Sequence, residues 1–154
     1  MATVEEYGSG RILRSIRLAH LCMRAAGFPL IGPVVARKME EWMEPFGIHP
    51  ITIDDAKAII EGCRCCAAGP RVCRLLFPES AVSESVFTDE LAERMAEAGK
   101  ASPVTKDLAM EIIGKYPDNP LLLSKVSGRY WELCRSDPEV CIYWKMRRVI
   151  TADH

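Results

Sequence analysis

The chain has 154 residues, 49% of them hydrophobic and 27% charged, with a formal net charge of -1. That is enough apolar material for one core, so a single globular domain over residues 1-154 is expected. The near balance of charge argues against bulk binding to nucleic acid or to an anionic membrane, since both call for a basic excess.

The opening MATVEEYGSG carries acidic residues and no long apolar run. Neither a signal peptide nor a transmembrane helix is visible there, and the chain reads as cytoplasmic. From Gly10 to Ala26, residues Ile12, Leu13, Ile16, Ala19 and Met23 fall near helical spacing, with Arg11, Arg14, Arg17 and Arg24 between them. This predicts an amphipathic helix with a basic side, suited to solvent or to an acidic partner. Cys22 on that helix reads as a small core residue. His20 lacks the second histidine at i+3 or i+4 that a metal site on a helix would use. GFPLIGP, Gly27 to Pro33, predicts a loop that leads into a helix over Val34 to Met43.

A long repeat follows. Pro50, Ile51, Thr52, Asp54, Ala56, Ile59 and Ile60 recur as Pro103, Val104, Thr105, Asp107, Ala109, Ile112 and Ile113. In each copy threonine reads as an N-cap, aspartate suits the helix dipole in the first turn, and the apolar residues form a buried face. Phe77 to Thr88 reads as a connecting loop, and Thr88 as the cap of a helix running to Ala98. KYPDNP then predicts a turn, LLLSKVSGRYWELC a helix, and Pro138 to Val149 a final helix with Arg147 and Arg148 near its C-terminus. With no sustained period-two alternation, the expected fold is all-α. It would have about seven or eight helices and approximate repeats 34-77 and 88-148 related by a pseudo-two-fold axis.

The second repeated motif carries the chemistry. Cys66, Pro70, Val72 and Cys73 in CAAGPRVC match Cys134, Pro138, Val140 and Cys141 in CRSDPEVC. Each copy predicts a helix ending at the first cysteine and a proline opening the next helix, with the second cysteine in its first turn. There, free N-H groups and the helix dipole favour thiolate. Seven cysteines in a reducing compartment point to metal or redox chemistry rather than to structural disulfides. Six residues separate the cysteines of each pair, wider than the two to four common in structural zinc sites. That spacing suits one [4Fe-4S] cluster held by Cys66, Cys73, Cys134 and Cys141, with Cys63 or Cys65 as substitute ligands. Arg64, Arg71, Arg74 and Arg135 would offset the negative charge.

No P-loop, Gly-x-Gly-x-x-Gly, His-Glu-x-x-His or Gly-x-Ser-x-Gly motif occurs, and little is left for an enzyme active site. His20, His49 and His154 are scattered. The expectation is a small iron-sulfur electron carrier, or a redox-responsive accessory subunit serving a protein redox partner or larger enzyme complex. A cluster-based or thiol-based regulator and a structural zinc interaction module are the alternatives, and a redox dithiol becomes the better reading if the two motifs lie more than about 15 Å apart.

Overall fold

The computed structural model describes residues 3-25 and 31-152. The all-α expectation is corrected: among these residues seven α-helices accompany a six-stranded antiparallel sheet. In chain order the elements are α1 (Val4–Ser9), α2 (Ile12–Ala25), α3 (Gly32–Met43), β1 (His49–Pro50), α4 (Ile53–Gly62), β2 (Cys66–Pro70) and β3 (Glu84–Thr88). They continue with α5 (Asp89–Glu97), β4 (Ser102–Val104), α6 (Lys106–Gly114), β5 (Leu121–Val126), β6 (Arg129–Arg135) and α7 (Ile142–Ala152). Most of the loop expected at Gly27 to Pro33 lies outside the described residues.

The segment expected as one helix from Leu121 to Cys134 is a hairpin. Ser127 and Gly128 form its two-residue turn, both in the left-handed region at φ 51° and 80°. Positive φ at both positions matches the right-handed twist of the flanking strands. Leu121 to Ser124 are all buried, because β5 is covered on both faces. Such a strand shows no alternation and resembles a helix segment in sequence. The same holds for β2, whose Cys66, Ala67, Ala68 and Gly69 are all buried.

The sheet order is β1-β5-β6-β3-β2-β4. Exchanging the half β1-α4-β2-β3 with the half β4-α6-β5-β6 leaves that order unchanged apart from its direction. The repeated sequence at Pro50 and Pro103 is in each case an edge strand, a threonine cap and a helix. Thr52 accepts from the Asp55 N-H within a full capping box, and Thr105 accepts from the Leu108 N-H. Thr88 precedes α5 without capping it, and its hydroxyl points to the Trp131 carbonyl at 3.4 Å.

The cysteine motif follows a different register. Pro50 recurs 53 positions on at Pro103, whereas Cys66 recurs 68 positions on at Cys134. Cys66 opens β2, which in the topological exchange corresponds to β5, while Cys134 lies near the end of β6. The two cysteine segments are therefore not equivalent by the fold's own symmetry.

Two cores cover the sheet. On one face α4 and α6 pack Ala56, Ile60, Ala109 and Ile113 onto Val86, Leu121 and Leu133. On the other, α1 and α5 pack Tyr7, Leu91 and Met95 onto Ala67 and Phe87. A third cluster of Ala19, Met23, Met39, Met43 and Met146 joins α2, α3 and α7.

Because Gly128 sits at φ 80°, Gly128→Ala forces a Cβ into the left-handed region at a cost of about 1 to 2 kcal/mol. Thermal unfolding should show a midpoint lower by about 2 to 8 °C. An unchanged midpoint would show that residues 127 and 128 do not form this turn.

Candidate thiol site

Side chains on a strand alternate between faces, so the pairing register fixes where each sulfur points. Cys66 pairs with Thr88, and Cys134 with Ser85. Cys66 packs with Cys63, Ala68, Val86 and Leu133 in the core under α4 and α6. Cys134 is two residues from Glu132, which pairs with Phe87 and therefore lies on the opposite face. The two cysteines are two strands apart and offset by three residues, on the order of 14 Å between α-carbons at ordinary strand spacing. The sheet thus separates Cys66 from Cys134 both by distance and by face.

Cys73 and Cys141 belong with Cys134. Cys73 lies in a short 3-10 turn, Val72–Leu75, rather than in the first turn of an α-helix. Cys141 immediately precedes α7, where its carbonyl accepts the Lys145 N-H and its own N-H donates to Asp137. All three thiols are buried and within electrostatic reach of Arg71. Arg71 forms a buried ion pair with Glu132, Nε to Oε1 at 3.1 Å. The other carboxylate oxygen accepts from Tyr7 Oη at 2.8 Å and Ser124 Oγ at 2.9 Å. Burial works against the Arg71 charge, but Cys134, Glu132, Cys73 and Cys141 around it raise its pKa well above the ordinary value. Burial and the Glu132 carboxylate likewise raise Tyr7. Glu132 and Tyr7 were not among the residues singled out from the sequence. The signal was an acid placed between Trp131 and Leu133, legible only once that segment is known to be a strand.

The other sulfur group is Cys63, Cys65 and Cys66. Cys63 ends α4 in an extended conformation, and its Sγ stands 3.2 Å from Cys66 Sγ. Both residues are buried, at 7% and 4% exposure, whereas Cys65 is half-buried on the other side of the strand. The connecting turn is clamped by Asp89. Its carboxylate accepts the Arg64 N-H at 2.8 Å, and its own N-H donates to the Cys65 carbonyl at 3.0 Å. Asp89 adopts a φ of 52°, a left-handed conformation that aspartate tolerates better than most residues. Arg64 extends over the surface to Glu93 at 2.9 Å.

The thiolate-favouring environment expected at the paired cysteines is reversed at three of them. Burial, the hydrogen bond that Cys66 donates to Cys63 and the neighbouring sulfurs push the Cys66 thiol up to about 12. Burial also takes Cys73 up to about 12 against the pull of Arg71. Cys134 rises for the same reason, again opposed by Arg71. Desolvation of a thiolate outweighs the arginines. Among those arginines, Arg135 holds the end of β6 by donating to the Ile113 and Asn119 carbonyls, at 2.7 and 2.8 Å. Arg74 is buried with one guanidinium nitrogen unpartnered.

His20 is half-buried against Phe77, and burial lowers its pKa to about 4. His49 bonds the Gly47 carbonyl, and His154 lies outside the described residues. Among the described residues, no three His, Cys, Asp or Glu side chains stand close enough together to hold a metal ion. None of the described helices is long and apolar enough to cross a membrane. Comparison with protein-family models, with characterised proteins and with solved structures gives no match.

The raised thiols make a signed prediction. Above the ordinary thiol pKa the unfolded chain releases protons that folded Cys66 and Cys73 keep, so stability is full below about pH 8 and falls as pH rises toward 12. Each thiol contributes a slope of up to about 1.4 kcal/mol per pH unit in that window. Urea unfolding under reductant between pH 7 and 10 should show a shallower decline for Cys66→Ser and Cys73→Ser than for the parent. Parallel declines would contradict the burial of these sulfurs as neutral thiols.

Proposed function

We propose that this protein is a small thiol-redox protein in which Cys63 and Cys66 alternate between a dithiol and a disulfide. The observation that supports this reading is the 3.2 Å approach of two buried sulfurs within Cys63-Arg64-Cys65-Cys66. Oxidation joins the two Sγ atoms, releases both thiol protons and passes two electrons to a peroxide or to a partner's disulfide. The sulfurs need to close by roughly 1.1 Å to reach a disulfide bond length of about 2.05 Å. The disulfide would tie the end of α4 to the start of β2.

A Cys66 thiol raised to about 12 is almost wholly protonated near neutrality and attacks slowly. Such a pair suits a redox-responsive accessory protein or a slow two-electron reservoir better than a rapidly cycling exchange catalyst. A cytoplasmic setting belongs with this reading, because a reducing compartment keeps the pair as a dithiol until an oxidant or a protein redox partner arrives.

An iron-sulfur electron carrier is the second reading. Three of the four cysteines expected as ligands, Cys73, Cys134 and Cys141, lie within electrostatic reach of Arg71, a cation that suits a negatively charged cluster. They would have to draw closer together to bind one, since among the described residues no three such side chains are near enough to hold a metal ion. With Cys66 on the opposite face, a fourth ligand for a [4Fe-4S] cluster, or for zinc, has to come from elsewhere.

Treating reduced protein with diamide should remove two mass units and place one disulfide in the peptide that holds Cys63 and Cys66. Cys63→Ser and Cys66→Ser should each abolish it, while Cys22→Ser should leave it intact. Iron and acid-labile sulfide near four each per chain in anaerobically purified protein, lost in Cys73→Ser, Cys134→Ser and Cys141→Ser, would replace the dithiol with the cluster.

A further inference from the structure

The Arg71 and Glu132 pair borders a cavity of about 40 Å³ on the Tyr7 face of the sheet. At roughly 10 to 15 Å³ for each water, that is room for about three. Tyr7, Arg71, Ser124 and Glu132 form its polar side. The apolar walls reach the surface: Trp42 is 40% exposed, and Phe46, Ile48 and Ile142 are half-buried. The cavity is therefore the deep end of a cleft whose mouth is apolar.

The polar side is incompletely matched within the protein. Glu132 Oε2 accepts from Tyr7 Oη and Ser124 Oγ, at 2.8 and 2.9 Å. Oε1 stands 3.1 Å from Arg71 Nε but off the direction of that N-H bond, and it is fully buried with no hydrogen bond. That ion pair is the one polar contact of the Arg71 side chain among the described residues, so the two terminal guanidinium nitrogens keep N-H groups to donate. Buried polar atoms are nearly always partnered. A donor belongs opposite Oε1 and an acceptor opposite the guanidinium.

We infer that this cavity binds the carboxamide group of a small neutral ligand with a flat apolar body. The amide N-H donates to Glu132 Oε1, the amide oxygen accepts from Arg71, and the body lies against Trp42 and Phe46, whose rings stand 5.3 Å apart. Charge selects this group over its relatives. Arg71 and Glu132 already cancel, so a carboxylate or an ammonium would bring an uncompensated charge into a buried site. A carboxamide offers a donor and an acceptor side by side without one. Its head has about three non-hydrogen atoms and fits the room of about three waters, which leaves the body in the mouth. The inference does not rest on the Cys63 and Cys66 pair, which lies in the core on the other face.

The test titrates the reduced full chain at neutral pH with benzamide, benzoate and benzylamine, which share a shape and differ in charge. Chemical-shift titration should give benzamide a Kd of about 1 mM or tighter, within reach of a ligand of about nine non-hydrogen atoms. The two charged analogues should bind roughly tenfold more weakly or worse. Intermolecular nuclear Overhauser contacts should join the benzamide ring to Ile48 and Ile142. Trp42 lies outside the three buried clusters, so Trp42→Ala should weaken benzamide by about tenfold with an unchanged thermal midpoint. Equal binding of the three molecules, or an unchanged affinity in Trp42→Ala, would show that the pair and the aromatic mouth do not recognise the ligand. Tighter binding of benzoate would make Arg71 an anion site, and no binding of benzamide at about 20 mM would leave the cavity to water. Each of these results overturns the proposal.

Discussion

The antiparallel pairing of β3 with β6 decides which way the strand cysteines point. Val86 stands opposite Leu133, and Phe87 opposite Glu132. Leu133 is fully buried under α4 and α6, while Glu132 is fully buried on the other face with Tyr7, Ser124 and Arg71. A slip of one residue would exchange them, driving a carboxylate into an apolar core and a leucine into a polar one. An unpaired buried charge costs several kcal/mol and the misplaced leucine about 1.5 to 3 more, so the register is tightly held. That register puts Cys66 on one side of the sheet and Cys134 on the other.

The Arg71 and Glu132 pair ties the second face together. Glu132 comes from the central strand β6, Arg71 from the chain just after β2, Tyr7 from α1 and Ser124 from β5. Losing one partner strands the other as a buried charge, typically at about 3 to 5 kcal/mol, so the pair holds the helical layer to the sheet. Cys73, Cys134 and Cys141 sit around this centre without displacing Glu132 from the guanidinium. Glu132 takes up the Arg71 guanidinium, and burial keeps the Cys73 and Cys134 thiols protonated. Among the described residues Cys63 and Cys66 have no buried cation beside them, and there the sulfurs meet each other.

Much of the helical framework was legible in the sequence. The apolar spacing of Ile12 to Met23 and the Thr52 and Thr105 caps correspond to α2, α4 and α6. The strands were hidden by burial: β2 and β5 are covered on both faces and lack the alternation that identifies a half-exposed strand. Ser127-Gly128 was the local sign of a hairpin, less recognisable than Asn-Gly but serving the same backbone geometry. Of the candidate site, the cysteines stood out at once, but their grouping depended on strands that had been read as helices. On a helix Cys65 and Cys66 point about 100° apart, whereas on an extended chain they point to opposite faces, which leaves Cys63 as the partner of Cys66.

The separation of Cys66 from Cys134 rests on the sheet, and nuclear Overhauser contacts test the sheet without reference to any cofactor. Labelled protein should give cross-strand backbone contacts between residues 86 and 133, between 66 and 88, and along the hairpin from 121 to 135. Sequential helical contacts between i and i+3 through 121-134, or side-chain contacts joining Cys66 to Cys134, would contradict the two-sided arrangement of the thiols.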